Sequence, residues 1–185
     1  VTRIRFQDIR QLPSSCTVLC RTNAPLLRLA IQAIKNLVGV NFLGRDLEKM
    51  LHSYLSRFSK DTTSVSGLWT ALQLAGNQIE GKGAKARHED LTQCLKAIAE
   101  WQDATDLQHI ASGITELFSS PGSLTLATIH KSKGLEWPDV YLLRPDLLPS
   151  PFATTPEEIT QENNMHYVAV TRAQNSFTYL DGDLV

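Results

Sequence analysis

The chain has 185 residues, 42% of them apolar and 20% charged, and a net charge of −1. That length admits one domain with an insertion or two small domains, and that apolar share excludes a chain that is disordered throughout. A near-neutral molecule has no overall field to hold nucleic acid, so any such binding must come from a local patch. The three cysteines, Cys16, Cys20 and Cys94, show neither CxxC nor zinc spacing and read as small core hydrophobes in a reducing compartment. No apolar run reaches the roughly 20 residues of a membrane span. The first ten residues lack a signal-peptide core, and the chain opens at Val1, as a piece of a longer protein would.

"CTVLC" at residues 16–20 predicts a short buried strand, and "RTNAP" a turn after it. Leu26, Leu27, Ala30, Ile31, Ile34 and Leu37 recur at helical spacing, with Gly39 as a natural stop. "VNFLG" reads as a second strand, completing a strand–helix–strand unit, the ingredient of a parallel sheet. From Asp46 the pattern changes. Leu47, Met50, Leu51, Tyr54, Leu55 and Phe58 mark an amphipathic helix, and "KDTTSVSG" a linker. A helix over 68–79 follows, and "EGKGAKARH" reads as a loop. Leu91, Cys94, Leu95, Ile98 and Trp101 mark another helix; Leu107, Ile110, Ile114, Leu117 and Phe118 mark one more. "SSPGS" closes this block.

Strand-type sequence then returns with "LTLATI" at 124–129 and "DVYLL" at 139–143. The proline-rich "RPDLLPSPFATTP" is a loop. A helix opens with Thr155 as N-cap, Pro156 at its first position and Glu158 three after the cap, a capping box, and runs to about residue 173. "SFTYL" is a last strand, stopped by "DGD". The expected class is α/β, a parallel sheet with flanking helices, interrupted by an all-helical inserted subdomain. The boundaries fall at 1–45, 46–120 and 121–185.

Three stretches carry candidate chemistry. "TIHKSKGLEW" runs from an apolar strand straight into His130, Lys131, Lys133, Gly134 and Glu136, which places His130 to Glu136 at the carboxyl end of a strand, where open parallel sheets bind ligands. The turn at Lys133–Gly134 can aim N–H groups and an ammonium at an anion, with Gly134 allowing close approach. Glu136, an acceptor, suits hydroxyls such as those of a ribose. A solvated turn with a Lys–Glu pair is the alternative. In "YVAVTRAQ", Arg172 reads either as a helix-terminal arginine favoured by the helix dipole or as a finger reaching a phosphoryl group. In "VLCRTNAP", Arg21, Thr22 and Asn23 follow a strand and open a helix, where free N–H groups accept phosphate oxygens; Asn23 as a plain N-cap is the other reading.

Taken together, "LCRTNA", "TIHKSKGLEW" and "YVAVTRA" resemble, in that order, motifs IVa, V and VI of superfamily 1 helicases of the UvrD/Rep type. The second fits T-[IL]-H-x-[AS]-K-G-L-E-[FW] at nearly every position, and the third fits Y-V-[AG]-[IVL]-T-R-A in full. The resemblance covers the whole chain as a second RecA-like motor domain split by a helical subdomain between motifs IVa and V. It implies that Arg172 is the catalytic finger on the γ-phosphate of ATP, with Gly134 and Glu136 at the nucleotide and Glu136 on the ribose. It implies that Thr128, His130 and Lys133, with Arg21, Thr22 and Asn23 from the neighbouring loop, line a track for single-stranded DNA. ATP and Mg2+ would be held mainly by an N-terminal motor domain of the same polypeptide, since this chain has no G-x-x-x-x-G-K-[ST].

The expected function is the C-terminal motor half of an ATP-dependent DNA helicase or translocase, moving 3′ to 5′ and inactive by itself. Its expected partners are single-stranded DNA and a duplex junction, with no membrane, in the bacterial cytosol or nucleoid. Two departures stand out. The insertion is shorter than the family's, and the family's Glu-Arg-Arg run before motif VI is "ENNM", residues 162–165, which alters the charges around the finger. Lys82, Lys85 and Arg87 form a basic stretch that either meets DNA phosphates or is simply solvated. The competing reading is a helicase-like binding or regulatory module without ATPase activity. A free-standing enzyme with His130 or His166 as base has no accompanying Ser or Cys nucleophile in a recognisable arrangement.

Overall fold

The computed structural model describes residues 1–13, 15–43, 46–60, 62–119 and 121–182. Gly44, Asp61, Ser120 and Asp183, read above as turn or linker positions, and the boundary at residue 45 lie outside them. The chain divides into two compact units: residues 1–44 with 120–185, and residues 45–119.

The first unit is built on one parallel sheet. Among the described residues its strands are β1 (Thr2–Arg5), β2 (Thr17–Cys20), β3 (Val40–Phe42), β4 (Leu124–Thr128), β5 (Trp137–Leu143) and β6 (Ala173–Asp181). Their spatial order is β1-β6-β5-β2-β4-β3, and every pairing is parallel. β2 lies inside the sheet and is buried at all four residues, as a strand covered on both faces must be. Side chains alternate across the pleat. Leu19, Ala127, Val140 and Leu142 join Met165 and Ala169 of helix α6 (Pro156–Val170) in one core. Leu124 and Leu126 have the opposite parity, and helix α1 (Asn23–Lys35) packs on β2, β3 and β4. Gly39 and Gly122 bring two backbones together: a Cβ on Gly122 would fall 1.8 Å from the Gly39 carbonyl carbon. Only glycine fits there.

The second unit is helical: α2 (Asp46–Phe58), α3 (Val65–Gln78), α4 (Lys82–Trp101) and α5 (Leu107–Ser119). Its core comprises Leu51, Leu68, Leu72, Leu95, Ile98, Ile110 and Ile114, each at most 1% exposed. The apolar stripes read from the sequence are the buried faces of these helices.

Several elements differ from expectation, among them α3, which begins at Val65 inside the expected linker. "EGKGAKARH" is not a loop: Gly81, at φ 90°, precedes α4, which takes in Lys82 to His88. Ala84, Ala86 and the long basic side chains are good helix formers, and they outweigh Gly83. β1 was not anticipated, because at the sheet edge "TRIR" shows no apolar run and is mostly exposed. The last helix stops at Val170, three residues short of the expected end, because β6 begins at Ala173. Its start matches expectation. The Thr155 hydroxyl accepts from the Glu158 N–H at 3.2 Å, and the Glu158 carboxylate accepts from the Thr155 N–H at 3.0 Å.

Candidate functional site

The residues of the three motifs lie in the first unit, with side chains at two opposite edges of its sheet. β2 and β4 end side by side, with Cys20 opposite Thr128. Their carboxyl ends therefore deliver Arg21, Thr22 and Asn23 from one strand, and Thr128 and His130 from the other, to one edge. Pairing of Leu19 with Leu142 puts the end of β5 at the same level. Trp137, where β5 begins, is six residues back along that strand, roughly 20 Å away. Glu136 thus lies at the amino-terminal edge. Arg172 is there too: its carbonyl accepts from the Trp137 N–H at 2.9 Å.

This corrects one expectation. The stretch from His130 to Glu136 does not sit as a unit at the carboxyl end of a strand. It is a crossover that leaves β4 at one edge and enters β5 at the other. The parallel pairing of β4, β2 and β5 imposes this, because the chain must return to the opposite end before starting β5. The crossover is wound tightly. The Lys131 N–H donates to Thr128 O at 2.9 Å and the Leu135 N–H to Ser132 O at 3.0 Å. Ser132 is fully buried and donates to Ile129 O at 2.8 Å, a pin that the sequence reading passed over. Gly134 has φ 82°, with open space where a Cβ would be. Its role is therefore the left-handed turn, not a close approach within the chain.

At the amino-terminal edge, Arg172 occupies the two-residue turn between α6 and β6. Its Nε donates to Val168 O, its Nη1 to Leu135 O and its Nη2 to Thr171 Oγ1, each at 3.0 Å. The first bond caps the carboxyl end of α6, where a cation is favoured by the helix dipole. Three of the roughly five guanidinium donors are used; each terminal nitrogen keeps one N–H. The half-exposed residue sits beside Glu136, whose exposed carboxylate accepts from Gln174 Nε2 at 3.4 Å. Gln174 and Ser176, which donates to Asp139, complete a polar rim.

At the carboxyl edge, Arg21 grips Glu162 of α6. Its Nη2 donates to one carboxylate oxygen at 2.7 Å and its Nε to the other at 2.8 Å. The Ser150 N–H donates to the same carboxylate at 3.1 Å. Burial alone would raise the Glu162 carboxyl. The hydrogen bonds and charge of Arg21, the Ser150 N–H and nearby His130 outweigh it and hold Glu162 below its ordinary value. His130 is pushed below its ordinary value by partial burial of its ring and by the charges of Arg21 and Lys133, with Glu162 opposing. Thr22, in extended backbone at φ −126° and ψ 169°, holds the N-cap position of α1 without a side-chain cap bond, so Asn23 is the first helical residue and not the cap. Lys133 is exposed. Glu162 is the residue the motif reading missed: its carboxylate meets Arg21 at this edge, and not the arginine at the other.

The second unit holds none of the motif residues; the basic stretch Lys82, Lys85 and Arg87 lies in its α4. It carries a groove of about 850 Å³ lined by Tyr54, Phe58, His88 and three cations, Lys49, Arg57 and Arg87. Among the described residues no three His, Cys, Asp or Glu side chains gather as a metal site, and no helix is long and apolar enough to cross a membrane.

A parallel sheet in this order, with both edges carrying polar motif residues, defines an α/β domain of RecA-like architecture. Residues 72–179 match the UvrD-like helicase C-terminal domain, and the chain belongs to that family. Its similarity extends to an ATP-dependent helicase/nuclease subunit of Streptococcus suis, 31% identical over 99 residues, 54% of this chain and 7% of that protein. A probable DNA helicase II homolog of Rickettsia conorii is 29% identical over 147 residues, 70% of this chain and 22% of that protein. The ATP-dependent DNA helicase Rep of Escherichia coli is 39% identical over 56 residues, 29% of this chain and 8% of that protein. The chain thus spans less than a quarter of the length of each of these relatives.

Proposed function

We propose that this chain is the second motor half of an ATP-dependent DNA helicase or translocase, moving 3′ to 5′ along one strand. The observation that carries the reading is the placement of Arg172 and Glu136 at one sheet edge and of Arg21, Thr128 and His130 at the other. The donor set at the first edge fits a nucleotide. Glu136 offers acceptors to ribose hydroxyls, and Arg172 keeps an N–H on each terminal nitrogen for the γ-phosphate. Gly134 lends the turn beside them. ATP supplies a transferable phosphoryl group, and its Mg2+ is assigned to an N-terminal motor domain of the same polypeptide.

At the second edge, Thr128, His130 and Lys133 with Arg21, Thr22 and Asn23 face the phosphates of single-stranded DNA. Local cations suffice there, because each neutralised phosphate releases counterions whatever the net charge of the chain. The domains follow from the same reading: residues 1–45 and 121–185 form the motor domain, and 46–120 an insertion toward a duplex junction. The tightly wound crossover joins the two edges, so hydrolysis at one is mechanically tied to strand grip at the other.

The test compares residues 1–185 alone with the full-length protein. The chain alone is expected to hydrolyse no ATP with or without single-stranded DNA, and the full-length protein to show DNA-stimulated turnover. DNA-stimulated turnover by the isolated chain would overturn the reading. DNA binding by a full-length protein without turnover would favour a regulatory module instead.

A further inference from the structure

Among the described residues of the first unit Glu162 is the buried charged side chain, and neither edge of the proposed function uses it. Its position is unusual for a carboxylate. It is 8% exposed, in the middle of α6, and three separate segments converge on it: the end of β2 through Arg21, the proline-rich loop through the Ser150 N–H, and the end of β4 through the charge of His130. A buried charge persists only when paired and hydrogen-bonded, and these partners supply that. The pair is bidentate, so it fixes the plane of the guanidinium as well as its distance.

The helix that carries Glu162 ends at Val170, and Arg172 follows in the next turn. Ten residues of α6 and its turn thus connect the two edges, about 15 Å at helical rise. A second connection runs alongside. The Arg172 guanidinium donates to Leu135 O, and Leu135 belongs to the crossover whose other end is His130. Glu162, α6, Arg172, Leu135, the crossover, His130, the paired ends of β4 and β2, and Arg21 therefore form a closed circuit. Its one ionic joint is Glu162 with Arg21.

We infer that Glu162 is a positioning residue: it fixes Arg21 at the carboxyl edge and, through α6, holds the Arg172–Trp137 junction at the other. The DNA half of this inference rests on the proposed function; the structural half does not.

The test uses the full-length protein with Glu162→Gln, which keeps the shape and removes the charge. Hydrogen exchange of the ligand-free protein reads the structural half. The Ser150 and Trp137 amides should both exchange several-fold to about tenfold faster, the size of a typical coupling between linked sites, while Val18 in the sheet centre is unchanged. Faster exchange at Ser150 with Trp137 unchanged overturns the coupling, whatever the protein binds. Uniformly faster exchange, Val18 included, overturns it as general loosening.

Anisotropy with a labelled oligodeoxythymidine reads the DNA half. Glu162→Gln and Arg21→Gln should each weaken binding several-fold, and the double variant no more than either alone, because residues acting as one unit are not additive. Additive losses, or unchanged or tighter binding in Glu162→Gln, overturn positioning of Arg21. In turnover assays, DNA-stimulated kcat should fall while KM for ATP stays within about twofold, the pattern of a lost transition-state interaction; a rise in KM with kcat unchanged overturns the role. If His130→Ala and Lys133→Ala leave DNA affinity intact, the proposed DNA edge fails, and the exchange data still decide the inference.

Discussion

Cys16, Cys20 and Cys94 are 7%, 0% and 0% exposed, and burial, followed by the charge of Asp139, pushes the Cys16 thiol up to about 12. A thiolate is the reactive form, so these groups should be inert in the folded chain. DTNB is expected to titrate none of them in the native chain and all three after denaturation; prompt native reaction would contradict the packing. His130 differs. It stands exposed at the carboxyl edge among Arg21 and Lys133, and His130→Ala is expected to weaken single-strand binding by the full-length protein. Equal binding curves for parent and variant would contradict that role. The three motifs were legible in the sequence as signatures of the family, because they are dense and ordered. Their separation onto two edges was not. A turn following a strand gives no sign of where the next strand begins; the strand pairing does. Glu162 was equally hidden, since its partner Arg21 lies 141 residues away in the chain.

The start of α6 was legible, because a cap is chemistry between near neighbours. The reciprocal bonds of Thr155 and Glu158 at the head of α6 show it. Thr155→Ala is expected to cost about 1 kcal/mol, read as a lower urea midpoint with an unchanged slope; a loss under about 0.3 kcal/mol would contradict the box as a stabilising element. The buried strands β2, β4 and β5 were legible from apolar runs. α4 was misread because glycines at 81 and 83 resemble a breaker, yet Gly81 precedes the helix and Gly83 sits in open space in its first turn. β1 escaped because an edge strand needs no apolar run; its order comes from pairing with β6, at the far end of the sequence. In the proposed function α6 is the element that matters most. It carries the pair with Arg21 in its middle and delivers Arg172 at its end.

Taken whole, the first unit is a sheet whose two edges are tied by a helix and a wound crossover. The acid limb of its stability should report that tie. Glu162 titrates below its ordinary 4.5 when folded, so its contribution is fully present above the unfolded value and is lost as pH falls through the lower folded value. His130, below 6.5 when folded, acts in the same direction: the unfolded chain takes up the proton first, and stability begins to fall below 6.5. Asp8 and Asp146, held low by their partners, add to the acid limb. Urea midpoints measured from pH 7 downward should therefore decline, and Glu162→Gln should be flatter than the parent below pH 4.5. Parallel curves would contradict the assignment. The central claim is that this domain completes a nucleotide site with Arg172, and DNA-stimulated ATP turnover by the full-length Arg172→Ala protein tests it most directly. The expected result is a loss of about 10³–10⁵ in kcat with ATP binding weakened far less; turnover equal to the parent's would contradict the account.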